Sequence, residues 1–369
     1  MVHRETPYIL WFDECTTTER PLVGGKNASL GEMTRAGIRV PPGFAITTGA
    51  YRDFVDQAGI GAQIQALLDE VDYEDVAGVE HTSKAIRQLM GAATIPAEIE
   101  GAIVGAYEEL CSECCVPDLP VAVRSSATAE DLPGASFAGQ QDTTLWVRSG
   151  SRVVIRAAIC WSSLFTARAI SYRHEMGFRH DRVYISVGVQ KMANAQTAGV
   201  MFTLNPINGD RSIIAIDSSW GLGESVVSGV VTPDNFLVDK VTLDIVRRTA
   251  SKKMIEYEPN EETQEVEIRD VQAERQTCPS LNDEEIMALS KLGKRIEGHY
   301  GTPQDIEWAI DRDLPFPENV MIVQSRPETV WSQKERPVVG NRRKAGVAGV
   351  VDTLLAGVRV KPTEQKVES

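Results

Sequence analysis

The first third of the chain carries apolar residues at spacings of three and four, the period of an amphipathic helix. Two such sets are Ala28, Leu30 and Met33, and then Ile64, Leu67, Leu68 and Val71. Another helix is expected after Pro96 and should stop at Pro117, because proline is tolerated in a first helical turn but not in a helix interior. The pattern predicts a mainly helical region over residues 1–115.

Short runs of β-branched residues follow and are typical of strands. A strand is expected at Val121–Arg124, a helical stretch from about Ser151 to Met176, and then strands in VYISVGVQKM, AGVMFTL and SIIAID. Residues 116–331 are therefore predicted to be a sheet-rich region.

Hairpins and a helix are predicted further along this region. FLVDKVTLDIVRR indicates a hairpin, and the acidic EYEPNEETQEVEIRD indicates either a solvated loop or an edge hairpin, to which we assign no chemistry. Asn282 or Asp283 can cap a helix that ends at Gly301. Beyond residue 331 the tail has eight bases against four acids, so residues 332–369 are predicted to be either a docking segment or a solvated end.

The charge of the chain narrows its possible partners. Its 369 residues include 52 acidic and 38 basic side chains, a formal net charge of −14. Overall charge of this sign disfavours binding to nucleic acid or an anionic membrane, so an anionic ligand needs a local cationic site. No run reaches the roughly 18 apolar residues of a spanning helix, and the start lacks a signal-peptide pattern. We expect a cytoplasmic protein with neither nucleic acid nor membrane as partner.

The six cysteines favour a reducing compartment over a disulfide framework. Cys111, Cys114 and Cys115 form a cluster at helical spacing, with no histidine or second CxxC nearby. Because a zinc site needs about four ligands, partly buried thiols are the favoured interpretation.

A first candidate for anion chemistry is the turn formed by Gly24, Gly25 and Lys26. Glycines allow a close approach of the backbone, a helix start offers unpaired N–H groups, and lysine adds positive charge, so the turn suits phosphate. It is not a Walker A loop, since Asn27 stands where Ser or Thr should be. An ordinary glycine turn with a surface lysine is the alternative.

A second candidate is Arg124, at the end of a predicted strand. It leads into RSSATAEDLPGASFAGQQDTT, a small, polar, glycine-bearing stretch that we expect to be a mobile loop over a ligand. A rigidly held arginine facing such a loop is suited to fork-like phosphate binding. The alternative is a salt-bridging arginine beside a disordered loop.

A third candidate is a closing pair of alternating strands, DIEWAID and NVMIVQSR. Asp305 and Glu307 share one face of the first, and Gln324 and Arg326 share a face of the second. If the strands pair, a carboxylate, an amide oxygen and a guanidinium converge, and these oxygens suit Mg²⁺. The alternative is an ordinary strand with one solvent-exposed polar face, which has the same sequence pattern.

The segment SSWGLGESVVSG predicts a glycine turn between a strand and a helix. Its spacing is not that of a dinucleotide fingerprint. Glu224 could approach a metal or a phosphate-bound lysine, or could simply cap the helix start.

Taken in order, eight segments resemble the amino-terminal ATP-grasp domain of the PEP synthase and pyruvate phosphate dikinase family: GGKNASLGEM, VAVRSSATAEDLPGASFAGQQDT, VGVQKM, AGVMFT, NPINGDRS, SWGLGESVVSGVVTPD, DIEWAI and IVQSRPET. The resemblance covers about residues 8–330. It implies an α+β ATP-grasp fold with two lobes and a nucleotide site between them, and it implies ATP with Mg²⁺ or Mn²⁺ as cofactors.

The resemblance also implies roles for individual residues. Its predicted site comprises Lys26 and Arg124 on the phosphates, Gly139, Thr143 and Thr144 in the covering loop, Gln190 near the adenine edge, Glu307 and Gln324 as magnesium ligands, and Arg326 on the transferring phosphate. Lys26, Arg124 and Arg326 are the predicted catalytic cations.

The chain also departs from the family pattern. Five extra residues, LPFPE, lengthen the connection between the closing strands. Family members continue into a swivelling domain with a phosphoryl-accepting histidine and then a substrate barrel, whereas here His299 is the last histidine. We therefore expect that histidine on a partner subunit.

Split enzymes of the family are a precedent for this arrangement. Phenylphosphate synthase resembles a PEP synthase divided in this way, which implies an ATP-cleaving small subunit whose phosphoryl group finally reaches phenol. One alternative is the detached half of a PEP synthase or of a rifampin phosphotransferase-like system. Another, of a different class, is a regulatory protein that binds the nucleotide without turnover.

Overall fold

The computed structural model describes residues 7–128 and 143–331. Nine α-helices lie in these ranges: α1 Arg20–Arg35, α2 Thr48–Gln57, α3 Gly61–Asp69, α4 Val76–Ala92, α5 Ala97–Glu113, α6 Gly150–Ser162, α7 Ala167–Glu175, α8 Glu224–Val227 and α9 Asp283–Tyr300. Short 3₁₀ turns occur at Phe12–Glu14, Ser163–Phe165 and His180–Arg182.

Thirteen strands accompany them in the same ranges. They are β1 Ile9–Trp11, β2 Gly43–Ile46, β3 Val121–Ala127, β4 Thr143–Val147, β5 Ile185–Lys191, β6 Ala195–Phe202, β7 Ile213–Trp220, β8 Asp234–Asp239, β9 Ile245–Thr249, β10 Ile255–Asn260, β11 Glu265–Asp270, β12 Gln304–Asp311 and β13 Val320–Pro327.

These strands form three sheets. A five-stranded sheet has the order β1-β2-β5-β3-β4, a six-stranded sheet has the order β13-β12-β6-β7-β8-β9, and β10 pairs with β11 alone. Each named strand pair is antiparallel. Antiparallel sheets with helices packed against them confirm the predicted α+β class.

Each large sheet has its own hydrophobic core. One face of the five-stranded sheet, with Val121, Val123 and Val187, packs against α2 to α7. The six-stranded sheet buries a face that includes Ile306 and Trp308 against α9, and α1 contributes to the same core. The opposite face of the six-stranded sheet carries a smaller hydrophobic cluster that includes Ala198 and Ala309, together with polar side chains such as Glu307.

Several predicted elements are confirmed, with longer or divided bounds. The strand expected at Val121–Arg124 runs to Ala127, and the helical stretch expected over residues 151–176 is α6 and α7 separated by a 3₁₀ turn. Both hairpins form, the acidic one as β10 and β11. Asn282 caps α9 through a bond from the Glu285 N–H, and Gly301 ends it in the left-handed conformation.

The predicted boundary at residues 115 and 116 falls between α5 and β3. The described residues up to Glu328 form one compact unit, and a second unit begins at Thr329. The predicted tail segment, residues 332–369, lies outside the described residues. In the described part, no single helix is long and apolar enough to cross a membrane, although two bent helix pairs, α4 with α5 and Gly150–Phe165 with α7, pass the same test by length and composition.

Candidate nucleotide site

Helix α1 is interrupted at Gly24, which brings it against β3. Gly24 has φ of +72°, and a Cβ at this position would lie 2.2 Å from the carbonyl oxygen of Ser126. Only glycine combines this conformation with this approach. Two residues later, Lys26 Nζ donates to the Ser125 carbonyl oxygen at 3.3 Å, so the predicted phosphate lysine lies beside the strand that carries Arg124.

Asn27 is a buried residue whose hydrogen bonds hold α1 in this position. It is 2% exposed, its backbone N–H donates to Ser126 Oγ at 3.4 Å, and its side-chain amide donates to Val23 O at 3.0 Å and to Ser186 Oγ at 3.1 Å. The residue that rules out a Walker A loop therefore ties α1 to β3 and β5. Sequence reasoning missed this role, because the partners are distant in the chain.

Arg124 extends from the five-stranded sheet to the six-stranded sheet. Its Nη2 donates to Glu307 Oε2 at 2.8 Å and its Nη1 donates to Val323 O at 3.0 Å. Its Nε is buried, and no atom of the described residues accepts a hydrogen bond from it. The side chains of Arg124 and Glu307 are 17% and 23% exposed, so the pair is neither fully buried nor freely solvated.

Strands β12 and β13 pair as predicted. Glu307 lies directly across from Gln324, and Asp305 lies across from Arg326. A bulge follows Glu307, because Trp308 pairs with Ile322 and leaves Val323 as the extra residue. The carbonyl oxygen of Val323 is the one that accepts from Arg124.

Asp305 lies beside the candidate site. The sequence predicted correctly that it shares a strand face with Glu307, but did not predict its ion-pair partner. Arg326 Nε and Nη2 donate to Asp305 Oδ2 at 2.8 and 2.7 Å. Burial raises the pKa of the Asp305 carboxyl, while the charge of Arg326 and its hydrogen bond oppose the shift. The alternation of DIEWAID was the available signal, since Asp305 and Glu307 are two residues apart on one strand.

Three other residues that the sequence predicts for the site, Thr143, Thr144 and Gln190, also lie on strands of the five-stranded sheet. Thr143 and Thr144 begin β4 rather than lying in the loop, which corrects their expected position. Thr143 lies across from Arg124 on β3. Thr144 lies across from Val123, and the side chain of Val123 faces the helical core. Gly139 and the segment 129–142 of the expected covering loop lie outside the described residues.

Gln190 is on β5, in the same sheet as Arg124. Its register partner on β3 is Ala122, two positions from Arg124 on that strand. The side chain is 3% exposed and its amide donates to Pro41 O at 3.3 Å. The expected role at the adenine edge stays a prediction.

The two other candidates from the sequence are the glycine turn with Glu224 and the cluster of three cysteines. The turn after β7 forms as predicted, with Gly221 at φ of +74° and Glu224 as the first residue of the four-residue helix α8. Cys111 and Cys114 are half-buried and Cys115 is exposed. No cluster of three or more His, Cys, Asp and Glu side chains in the described ranges could hold a metal ion.

The donor set fits a magnesium-bound nucleotide. Glu307 and Gln324 offer a carboxylate and an amide oxygen from facing positions, and Mg²⁺ usually completes such a pair with phosphate oxygens and water. The buried Nε of Arg124 favours the same ligand, because it is an N–H donor of a cation that has no acceptor among the described residues and can bind an anionic group.

Comparison with known proteins supports a nucleotide-binding site. The model of the pyruvate phosphate dikinase AMP/ATP-binding domain matches residues 20–346. The chain is 46% identical to a probable phosphoenolpyruvate synthase of Staphylothermus marinus over 94% of this chain and 44% of that protein. It is 41% identical to the phosphoenolpyruvate synthase of Aeropyrum pernix over 97% of this chain and 47% of that protein.

A third relative, a probable phosphoenolpyruvate synthase of Methanocaldococcus jannaschii, is 45% identical over 89% of this chain and 27% of its own length. The chain therefore spans less than half the length of these three curated relatives.

Proposed function

The chain is an ATP-binding domain that belongs to the pyruvate phosphate dikinase AMP/ATP-binding family, and from that premise we propose that it performs the ATP-cleaving half of a dikinase reaction. It binds Mg²⁺–ATP between its two large sheets and directs the β-phosphoryl group to a histidine on a partner subunit. With one water consumed, the products are AMP, inorganic phosphate and phosphohistidine.

The observation that carries this proposal is the meeting of Arg124 with Glu307. One comes from β3 of the five-stranded sheet and the other from β12 of the six-stranded sheet, and Gln324 lies across from Glu307. A cation for phosphate and two oxygen ligands for a divalent ion thus converge where the sheets meet. Phosphoryl transfer needs this kind of positioning and charge compensation more than covalent chemistry from side chains.

The site residues have three tasks in this proposal. Lys26 and Arg124 bind the phosphate oxygens, and Glu307 and Gln324 hold Mg²⁺, which neutralises phosphate charge when it is bound. Arg326, placed next to this pair on β13, steadies the phosphoryl group as it transfers. Their common effect is to hold the phosphate chain in line for attack by the histidine nitrogen.

Two acceptors remain within the proposal. Pyruvate is supported by the relatives, which are named phosphoenolpyruvate synthases. Phenol is the acceptor if the chain acts in a split enzyme like phenylphosphate synthase, and the ATP chemistry of this domain is then the same.

The test is transfer of label from ATP to the histidine. The purified chain is mixed with the histidine-bearing polypeptide encoded nearest to it and with ATP labelled at the β-phosphorus. We expect AMP and an acid-labile, alkali-stable label on that polypeptide, and loss of the label to pyruvate or to phenol then identifies the acceptor. Binding of ATP without any AMP, in the presence of that polypeptide, would instead indicate a regulatory nucleotide binder.

A further inference from the structure

We propose that the ion pair between Arg124 and Glu307 makes the site selective for the metal–nucleotide complex over metal-free nucleotide or free metal ion. The inference rests on the proposed function, in which Arg124 binds phosphate and Glu307 binds Mg²⁺. In the structure these two groups already bind each other, at 2.8 Å between Nη2 and Oε2.

The pair connects two sheets rather than neighbours on one element. Arg124 and Glu307 are 183 residues apart in the chain. Both terminal nitrogens of Arg124 bind the six-stranded sheet, one at Glu307 and one at the Val323 carbonyl oxygen. In this proposal phosphate replaces the Glu307 carboxylate at Nη2, so that phosphate binding breaks the ion pair.

Metal-free nucleotide gains little from such an exchange. When a phosphate takes Arg124, the Glu307 carboxylate is left without its cation and close to the new anion. Like charges at this distance repel, and the partial burial of both side chains weakens the screening by water. Metal-free ATP is therefore opposed by the carboxylate that the pair releases.

A free divalent ion faces the converse problem. If it takes Glu307, the Arg124 guanidinium is left without its anion and close to the new cation. The buried Nε of Arg124, which has no acceptor in the described part of the chain, already leaves this guanidinium incompletely satisfied. A free metal ion is therefore opposed by the arginine.

The metal–nucleotide complex removes both penalties at once. Arg124 exchanges a carboxylate for a phosphate, and Glu307 exchanges a guanidinium for a divalent cation, so each charge keeps an opposite partner. The pair thus couples the two ligands: each binds well only when the other is present.

The distinguishing experiment measures nucleotide binding rather than turnover. Affinities for the ATP analogue AMPPNP are measured by calorimetry on the chain without the histidine-bearing polypeptide, so that no phosphoryl acceptor is present, once with excess EDTA and once with Mg²⁺. In Glu307→Gln the competing carboxylate is gone, so metal-free AMPPNP should bind about fivefold to tenfold tighter than to the wild type. The Mg²⁺ complex should bind more weakly to the same variant, because a metal ligand has lost its charge.

The reciprocal variant tests the other half. Arg124→Gln removes the cation, so Mn²⁺ alone, followed by electron paramagnetic resonance, should bind about fivefold tighter than to the wild type. Glu261→Gln is the control matched in charge to Glu307→Gln, because it also removes one carboxylate, and Glu261 is 65% exposed in the turn between β10 and β11. It should leave all three affinities unchanged.

The outcomes separate the two claims. Tighter metal-free binding in Glu307→Gln, with a far-ultraviolet circular dichroism spectrum like the wild type, supports the selectivity device. Unchanged or weaker metal-free binding in that variant overturns it while the proposed nucleotide site stands. Absence of AMPPNP binding to the wild type, with or without Mg²⁺, overturns the proposed function and the device together.

Discussion

Two ion pairs of this protein have similar lengths and very different surroundings. Lys253 and Asp234 lie 2.6 Å apart and both are 0% exposed, whereas Arg124 and Glu307 lie 2.8 Å apart and are 17% and 23% exposed. The first pair holds the chain between β9 and β10 to strand β8. The second joins two sheets across the candidate site.

The difference is in how completely each pair is satisfied. Asp234 accepts from Lys253 Nζ, from the Ser251 N–H, and from both the N–H and the hydroxyl of Ser280, at 2.6 to 2.8 Å. Lys253 Nζ also donates to the Ser251 carbonyl oxygen at 2.9 Å. Arg124 retains a buried Nε without an acceptor among the described residues. A saturated buried pair maintains structure, whereas an unsaturated, partly exposed pair can exchange partners.

The largest expected effect is on stability, at the saturated pair. Asp234→Ala leaves the Lys253 ammonium buried without its carboxylate and should lower the free energy of unfolding by about 4 kcal/mol. Urea unfolding followed by circular dichroism measures this. The double variant Asp234→Leu with Lys253→Met removes both charges and should recover the part of the loss that comes from the unpaired ammonium, whereas the Ser251 and Ser280 donors stay without their acceptor. An equally unstable double variant would show that the ammonium charge is not the cause.

The second effect is on chemistry, at the unsaturated pair. Arg124→Ala should reduce label transfer from ATP about 1,000-fold, because a phosphate-binding guanidinium is lost from the transition state. Its free energy of unfolding should change by less than about 1 kcal/mol, as expected for a partly exposed pair. Quench-flow labelling and urea unfolding measure the two quantities. Global unfolding of this variant would place Arg124 with the structural pair instead.

The backbone beside Arg124 gives a third test of the comparison. Gly24→Ala combines a left-handed φ with a collision against Ser126 and should cost about 3 kcal/mol and weaken nucleotide binding. Gly59→Ala is the matched control, since Gly59 has φ of +65° and open space around it. It should cost about 1 kcal/mol and leave binding intact. Equal costs for both variants would remove the close contact with β3 from the explanation.

Much of this arrangement follows from local pattern in the sequence, and the rest does not. The period of the helices and the alternation of the closing strands predicted α5, α9 and the faces that Glu307 and Gln324 occupy on their own strands, because such signals lie within one element. The ion pair of Arg124 with Glu307 was not predicted, since its partners are 183 residues apart.

The same reason explains the other misses. Asn27 bonds to Ser126 and Ser186, about 99 and 159 residues away, and the division of the stretch 151–176 depends on a 3₁₀ turn packed in the first core. Asp305 was placed on the correct face, but its partner Arg326 required the strand register.

The smallest expected effect concerns another buried cation, Arg173. It is 1% exposed, and its Nε donates to His180 Nδ1 at 2.9 Å, so its partner is a neutral imidazole rather than a carboxylate. Burial, together with the charge of Arg173, lowers the pKa of His180 to about 4 from 6.5. The unfolded chain then binds more protons, so stability should fall as the pH drops from about 6.5 toward about 4.

After allowance for partial exposure, this loss should be about 2 kcal/mol. Urea unfolding at pH 7 and pH 5 measures most of it. His180→Gln keeps an acceptor for Arg173 without titrating in this range, so it should show a smaller pH dependence than the wild type. The same dependence in both proteins would assign the effect to other groups.

The most direct test of the proposed nucleotide site is a crystal structure of the chain with Mg²⁺ and AMPPNP. We expect the phosphates between the two large sheets, with Arg124 on a phosphate oxygen, Glu307 and Gln324 on the metal ion, and Nη2 of Arg124 no longer within hydrogen-bond distance of Glu307 Oε2. A nucleotide bound elsewhere, with Arg124 and Glu307 still 2.8 Å apart, would contradict the proposal.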